Sequence, residues 1–279
     1  MDERHAYVNG RIVRVSEACV SVADRGFLYG DGLFETIRVT GGKCVRLERH
    51  LARLASGARV LGIEGLPEAG ALSAAISSLL EADGMRDARV RLTVTRGVSV
   101  GPGLVGETAG PPTVVVTAAD LPPADPEPAR VIISSIRRDE LNPLSSVKSL
   151  NYLPGILALR EARRAGADDA ILLNIQGKVA EGTVGNVFLV FGRTLVTPSL
   201  DQGVLPGIVR EAVTELAPGL GLEVVERPID VEELARADEV FFTNAIVLAR
   251  PVREVNGAPT RSGCREVCSR VRRALLDSP

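Results

Sequence analysis

Four prolines fall within seven residues at 122–128 (PPADPEP), and they set the first constraint on any fold of this chain. Proline fixes φ and brings no backbone N–H, so such a run enters neither a helix interior nor a central strand. It reads as an extended connector. The 279 residues therefore divide into a small first domain over 1–120, a linker over 121–129 and a larger domain over 130–279. Each domain is long enough to bury a core.

On either side of the connector the strands cluster and many connections are hairpin-like. Residues 6–15 (AYVNGRIVRV) form a hairpin around Asn-Gly. A glycine-punctuated loop, ADRGFLYGDG, leads into a strand over Phe34–Val39. Apolar residues at helical spacing predict helices over 46–61 and 68–82, followed by strands over 88–95 and 113–119. After the connector the pattern gives a strand over 130–136, a helix over 151–165 and strands over 169–174, 186–190 and 194–197. A helix over 207–217, a strand over 222–226, strands near 239–250 and a helix over 261–277 complete the chain. This is an α+β order, not regular βαβ alternation.

Composition removes several function classes. With 33 basic and 35 acidic side chains the net charge is −2, and no basic block exists to follow a phosphate backbone. Six Phe, three Tyr and no Trp offer little for stacking on bases, so no nucleic-acid partner is expected. Charges interrupt the apolar runs well before the length that spans a bilayer. The opening MDERHAYVNG has no apolar core of a secretion signal. Cys19, Cys44, Cys264 and Cys268 form no CxxC pair, which fits reduced thiols in a cytoplasmic protein. Cys264 and Cys268 lie four apart on the last helix and read as core-facing. With only His5 and His50 in the chain, no metal site is expected.

Of the 33 basic residues just three are lysine. Arginine replaces lysine freely on a surface, but a guanidinium stays charged and cannot serve where an amine must lose its proton and form a bond. Lys43 (TGGKC) and Lys178 (NIQGKVAEG) sit beside glycine turns and read as solvated hairpin residues. Lys148, in NPLSSVKSLNYLPG, has no acidic neighbour in sequence and lies between a strand and a helix. It is either a surface-loop lysine or an amine kept partly out of water, as Schiff-base chemistry requires.

Two short matches mislead. Gly97-Val98-Ser99-Val100-Gly101 fits GxSxG, but no histidine follows residue 50 to activate the serine. Gly101-Pro102-Gly103-Leu104-Val105-Gly106 fits GxGxxG, yet the residues beyond it enter a strand where a dinucleotide site needs a helix. Both mark one glycine-rich loop.

Four separated features suit a single cofactor. Lys148 offers an amine, Glu181 (AEGTVGNVF) a carboxylate for a ring nitrogen, and Gly207 (GVLPGIVR) a helix start whose N–H groups attract a phosphate. Arg53, one turn beyond His50, can clamp that phosphate. Pyridoxal phosphate asks for such contributions. Each feature also has a plain structural reading: a hairpin carboxylate, a helix-cap turn, a solvated helix face.

At these residues the chain resembles the fold-type IV pyridoxal-phosphate enzymes, the class IV aminotransferases. That family includes branched-chain and D-amino acid aminotransferases and aminodeoxychorismate lyases. Six blocks carry the resemblance in order: DRGFLYGDGLFETIRV, RLERHLARL, VKSLNYLPGILALREARRAGADDAILLN, GKVAEGTVGNVFLV, TPSLDQGVLPGIVR and ADEVFFTNAIVLARPVREVNG. It implies a two-domain fold with pyridoxal 5'-phosphate between a small and a larger domain, and a homodimer. It implies Lys148 as Schiff-base lysine and proton shuttle, and Glu181 as partner of the pyridinium nitrogen. Arg53 and the backbone of Leu205, Gly207, Ile208 and Val209 would hold the phosphate, with Asn244 and Ala245 beside it and Tyr152 at the ring oxygen. Tyr29, Phe34, Arg38 and Arg91 map onto the substrate site. The implied activity moves an amino group between an amino acid and a 2-oxo acid. The alternative is aminodeoxychorismate cleavage to p-aminobenzoate.

The chain departs from the family at Val209 and Ala245, where a phosphate-binding hydroxyl is common, and at 98–102, which lacks the arginine of the D-amino acid enzymes. The Thr243-Asn244-Ala245 turn is more similar to the lyases, while PVREVNG is shared with transaminases.

Overall fold

The computed structural model describes residues 4–123, 125–261 and 265–278. Contacts divide the chain into two compact units: the residues up to Leu121 with Val147–Asn151, and Pro122–Ser146 with the residues from Tyr152 onward. Lys148 is thus counted with the first unit, although it follows the connector in sequence.

The first unit contains β1 (His5–Val8), β2 (Arg11–Arg14), α1 (Arg25–Tyr29), β3 (Gly32–Thr40), β4 (Lys43–Cys44), α2 (Leu47–Leu61), α3 (Ala69–Ala82), β5 (Ala88–Thr95) and β6 (Thr113–Ala119). Its six strands form an antiparallel sheet in the order β2-β1-β6-β5-β3-β4. Asn9 and Gly10 both take positive φ, 46° and 93°, as the tight turn of the first hairpin requires. Alternation along β3 and β5 sends Ile37, Val39, Val90, Leu92 and Val94 to one face, where Leu51, Leu54, Ile76 and Leu79 of α2 and α3 cover them.

Val147–Asn151 adds to the free edge of β3. Phe34 N–H donates to the Lys148 carbonyl at 3.0 Å, and Leu150 N–H donates to the Gly32 carbonyl at 2.9 Å. Helix α2 comes close at Gly57, where a Cβ would lie 3.0 Å from Leu33 Cδ2 and 3.3 Å from Val147 Cγ1.

The second unit contains β7 (Ala129–Arg138), α4 (Leu153–Arg164), β8 (Asp169–Asn174), β9 (Val179–Gly182), β10 (Asn186–Phe191), β11 (Thr194–Thr197), α5 (Ile208–Leu216), β12 (Glu223–Glu226), α6 (Glu233–Arg236), β13 (Glu239–Asn244), β14 (Leu248–Val255), β15 (Ala258–Pro259) and α7 (Glu266–Asp277). Because β9 pairs with both β8 and β10, the strands β10-β13-β14-β7-β8-β9 close into a ring, and β11 and β12 extend from β10. One face of these strands packs a core of Val131, Ile171, Leu173, Val179, Val187, Leu189, Val240 and Phe242. On the other face α5 and α7 cover Phe188, Val190 and Phe241.

The last helix begins at Glu266, later than the expected 261. Cys264 lies outside the described residues. Cys268 is buried, as expected of a core-facing position, and burial pushes its thiol up to about 12. The short elements α1, β4, β9, α6 and β15 have no counterpart in the sequence pattern. A five-residue helix or a four-residue strand reading Val-Ala-Glu-Gly carries too few apolar repeats to show a period.

Between β8 and β9 the register shifts by a bulge: Leu173 pairs with Val179, but Leu172 pairs with Glu181. The extra residue lets Val179 face the core while Glu181, two positions on, turns to the opposite face. There Glu181 pairs across β10 with Asn186, whose Nδ2 donates to the Leu205 carbonyl at 2.9 Å. Gly207, the N-cap of α5, lies so close that a Cβ would fall 1.9 Å from Asn186 Oδ1. Its φ of −76° is open to any residue, so space alone demands glycine here.

Two outcomes follow from this packing. Gly207→Ala displaces the Asn186 amide and lowers stability by about 1–3 kcal/mol. In thermal melts the double variant with Asn186→Ala is no less stable than Asn186→Ala alone, because the clash is gone. In the first unit Asp31 accepts from Arg25 Nε at 2.9 Å and from Arg96 Nε at 2.7 Å. Burial pushes the Asp31 carboxyl up, but the two guanidinium groups outweigh it and hold it below the ordinary carboxylate range. A lowered acid stabilises the fold above its unfolded value, and that contribution is lost as pH falls through the folded value. Asp31→Asn accordingly costs about 1–2 kcal/mol at pH 7, allowing for its partial exposure. The gap from wild type starts to narrow in melts below about pH 3.9 and closes only below the lowered folded value.

Candidate active site

In the first unit the chemistry gathers on the two faces of β3. Phe34 faces away from the helices. The Lys148 ammonium lies 4.4 Å from its ring centroid, and the Arg91 guanidinium carbon lies 3.8 Å from it. A π-face is an electron-rich surface that attracts a cation without the directional demand of a carboxylate. Lys148 is half-buried, against the surface-loop reading, whereas Lys43 is exposed on a hairpin and Lys178 pairs with Asp230. Pleat alternation puts Arg38 on the same face as Phe34, two residues beyond Thr36, the cross-strand partner of Arg91. Tyr29, at the end of α1, is 38% exposed and has the Arg25 guanidinium 5.0 Å from its ring centroid.

The next residue of β3, Glu35, points the other way and is fully buried against α2. Its Oε1 accepts from Arg53 Nε at 2.8 Å, and its Oε2 accepts from Arg53 Nη2 at 2.6 Å and meets His50 Nδ1 at 2.7 Å. Burial pushes the Glu35 carboxyl up, but hydrogen bonds and charge from Arg53 and His50 prevail and hold it below the ordinary range. An ionised carboxylate only accepts, so Nδ1 of the buried His50 carries the proton of that bond. The solvated-helix reading of Arg53 fails, since this guanidinium is gripped along one edge.

In the second unit Glu181 Oε1 lies 3.0 Å from Arg138 Nη2, and Oε2 accepts from the Leu205 N–H at 3.1 Å. Arg138 is itself fixed by the carbonyls of Gly203 at 3.1 Å and Ser145 at 2.7 Å. Glu181 is thus a buried carboxylate with a guanidinium partner, not a hairpin surface group. Helix α5 opens at Ile208 and Val209 with no side-chain cap from Gly207, which leaves its positive end to the backbone. Asn244 Oδ1 accepts from Ile246 N–H at 2.9 Å and Val247 N–H at 3.0 Å, so that oxygen shapes the turn containing Ala245. Tyr152 is the N-cap of α4.

The geometry therefore brings Lys148, Phe34 and Arg91 together, and separately Glu181, Leu205 and Gly207. Four residues that the sequence did not single out stand beside these groups: Glu35, Arg138, Ser145 and Asn186. Glu35 and Asn186 lie within the blocks that carry the family resemblance, but nothing in those blocks marks them as partners of a site residue. Arg138 ends a strand among many arginines, and Glu35 interrupts an apolar run, the one signal in the sequence that a buried charge waits there.

The profile of the amino-transferase class IV family matches residues 32–255. A Methanocaldococcus jannaschii protein assigned to the branched-chain-amino-acid aminotransferases is 42% identical over 255 residues, covering 90% of this chain and 88% of that one. The aminodeoxychorismate lyase of Bacillus subtilis (strain 168) is 36% identical, over 90% and 87% of the two chains. The crystal structure of the branched-chain amino acid aminotransferase from Escherichia coli superposes with a TM-score of 0.93 at 29% identity, covering 99% of this chain and 94% of that one. A further branched-chain amino acid aminotransferase, solved with pyridoxamine 5'-phosphate, superposes with a TM-score of 0.92 at 30% identity over the same shares of the two chains. The resemblance expected from six sequence blocks thus holds for most of the chain's length. This protein belongs to the amino-transferase class IV family.

Proposed function

We propose that this chain uses pyridoxal 5'-phosphate to move an amino group between an amino acid and a 2-oxo acid. The observation that carries the reading is the half-buried Lys148 amine, seated on Phe34 and fixed through the backbone of β3. The residues fit the cofactor by their chemistry: an amine for its aldehyde, a carboxyl group for its ring nitrogen, and a helix start without a side-chain cap and a gripped arginine for its phosphate. When bound, the cofactor supplies a carbonyl that takes up amines and a ring that accepts the electron pair of a broken Cα–H bond.

The chain's own residues do the rest. Lys148 Nζ would take the proton from the substrate Cα and deliver it, across the intervening nitrogen, to the carbon that was the cofactor's aldehyde, one amine serving as base and then acid. Glu181, held 3.0 Å from Arg138 Nη2, would accept from the protonated ring nitrogen and keep that proton in place. The N–H groups of Ile208 and Val209 and the Arg53 guanidinium receive the phosphate, in place of the hydroxyls that Val209 and Ala245 lack. Asn244 stiffens the neighbouring turn, and Tyr152 would hydrogen-bond the ring oxygen. Arg38 and Arg91 supply positive charge for a substrate carboxylate, and Tyr29 and Phe34 line the approach.

A second reading, aminodeoxychorismate cleavage, is favoured by the Thr243-Asn244-Ala245 turn and by the similarity to a lyase. A homodimer would cover apolar residues that the first unit exposes, among them Phe27, Leu104 and Val105. Arg25 fixes the loop carrying the last two through the carbonyls of Gly103 and Leu104. Among the described residues Cys19, Cys44 and Cys268 are free thiols, which suits a cytoplasmic setting.

Purified protein should carry a near-visible absorbance band that Lys148→Ala abolishes. The wild-type band should fall on adding an amino acid and return on adding a 2-oxo acid. A band that no amino acid alters, together with p-aminobenzoate release from aminodeoxychorismate, would establish the lyase instead. Light scattering during gel filtration should give twice the 29.5 kDa chain mass.

A further inference from the structure

The geometry points to Glu35 and His50 as positioning residues that aim the Arg53 guanidinium at the cofactor phosphate. This inference rests on the reading of Arg53 as a phosphate ligand. Arginine has five N–H donors. Glu35 takes the Nε–H and one Nη2–H, which lie on one edge of the planar group, and its two oxygens fix that plane as a bidentate fork. The rest of the planar group faces away from Glu35. An arginine without this grip has four freely rotating side-chain torsions and spends binding free energy on ordering them. With the grip, that cost falls on folding and not on ligand binding.

The pair is not explained as a device for stability alone. A buried ion pair contributes little net stabilisation, because desolvation offsets the attraction between the charges. Here Glu35 is at 0% exposure inside a face otherwise made of Leu33, Ile37 and Val39, where an aliphatic residue would pack without that penalty. The second oxygen is also committed: His50, one turn before Arg53 on α2, donates to Oε2 and stops the carboxylate from swinging about its last torsion. The result is a chain of orientation running His50 to Glu35 to Arg53, all anchored on β3 and α2.

The discriminating experiment compares pyridoxal 5'-phosphate with pyridoxal, which lacks the phosphate, by absorbance titration of the apo-protein. Glu35→Gln should weaken the phosphorylated ligand about tenfold, as loss of one oriented charge-assisted hydrogen bond implies, and leave pyridoxal within about twofold. A purely structural role would move both ligands together. His50→Asn, which keeps a donor at the Nδ1 position, should retain the preference, and His50→Leu should lose part of it. If Arg53→Gln lowers the preference but Glu35→Gln does not, the positioning role is wrong and the phosphate reading stands. If Arg53→Gln leaves the preference unchanged, the phosphate reading itself fails. Should Glu35→Gln not fold, the His50 pair decides: equal preference in the Asn and Leu variants overturns the inference.

Discussion

The pleat of β3 is the constraint on which the first unit depends. Successive side chains of a strand must point to opposite faces, and here Phe34 and Glu35 use that alternation to serve two tasks from adjacent positions. Phe34 gives Lys148 and Arg91 a surface, and Glu35 holds an arginine and a histidine of α2. The backbone of the same stretch of strand also carries Val147–Asn151 on its edge. A shift of register by one residue would exchange the faces, placing a carboxylate under the lysine and a phenyl ring against the arginine. Register in this strand is therefore a chemical requirement as well as a packing one.

Much of the architecture was readable in the sequence because its signals are local. The Asn-Gly hairpin, α2, α3, β8 and β11 follow from turn chemistry or apolar period, and their observed bounds differ from expectation by a residue or so. The proline run begins where the long stretch of the first unit stops, at Leu121, but it gives no hint that Val147–Asn151 returns to that unit. Counting sets Lys148 apart, as one of only three lysines among 33 basic residues.

Relations across the chain were not readable in this way. Nothing near Glu181 announces that a bulge turns it away from the core, or that Arg138, far earlier in the chain, meets it. Likewise the return of Val147–Asn151 to β3 depends on backbone hydrogen-bonding groups that nearly every residue possesses. Glu35 shows the intermediate case: an acid in an apolar strand signals a buried partner without naming it, and only the fold supplies Arg53 and His50.

The interleaving of the chain has a consequence for cutting it. Because a five-residue segment from beyond the connector completes the edge of β3, a fragment stopped at the prolines would keep its helices and all six strands but lose its hem. The amide of Phe34 and the carbonyl of Gly32 would then face water along a bare apolar margin, an invitation to pair with another molecule. Cleavage in the connector is a different matter, since both pieces persist and the hem can stay sewn in place.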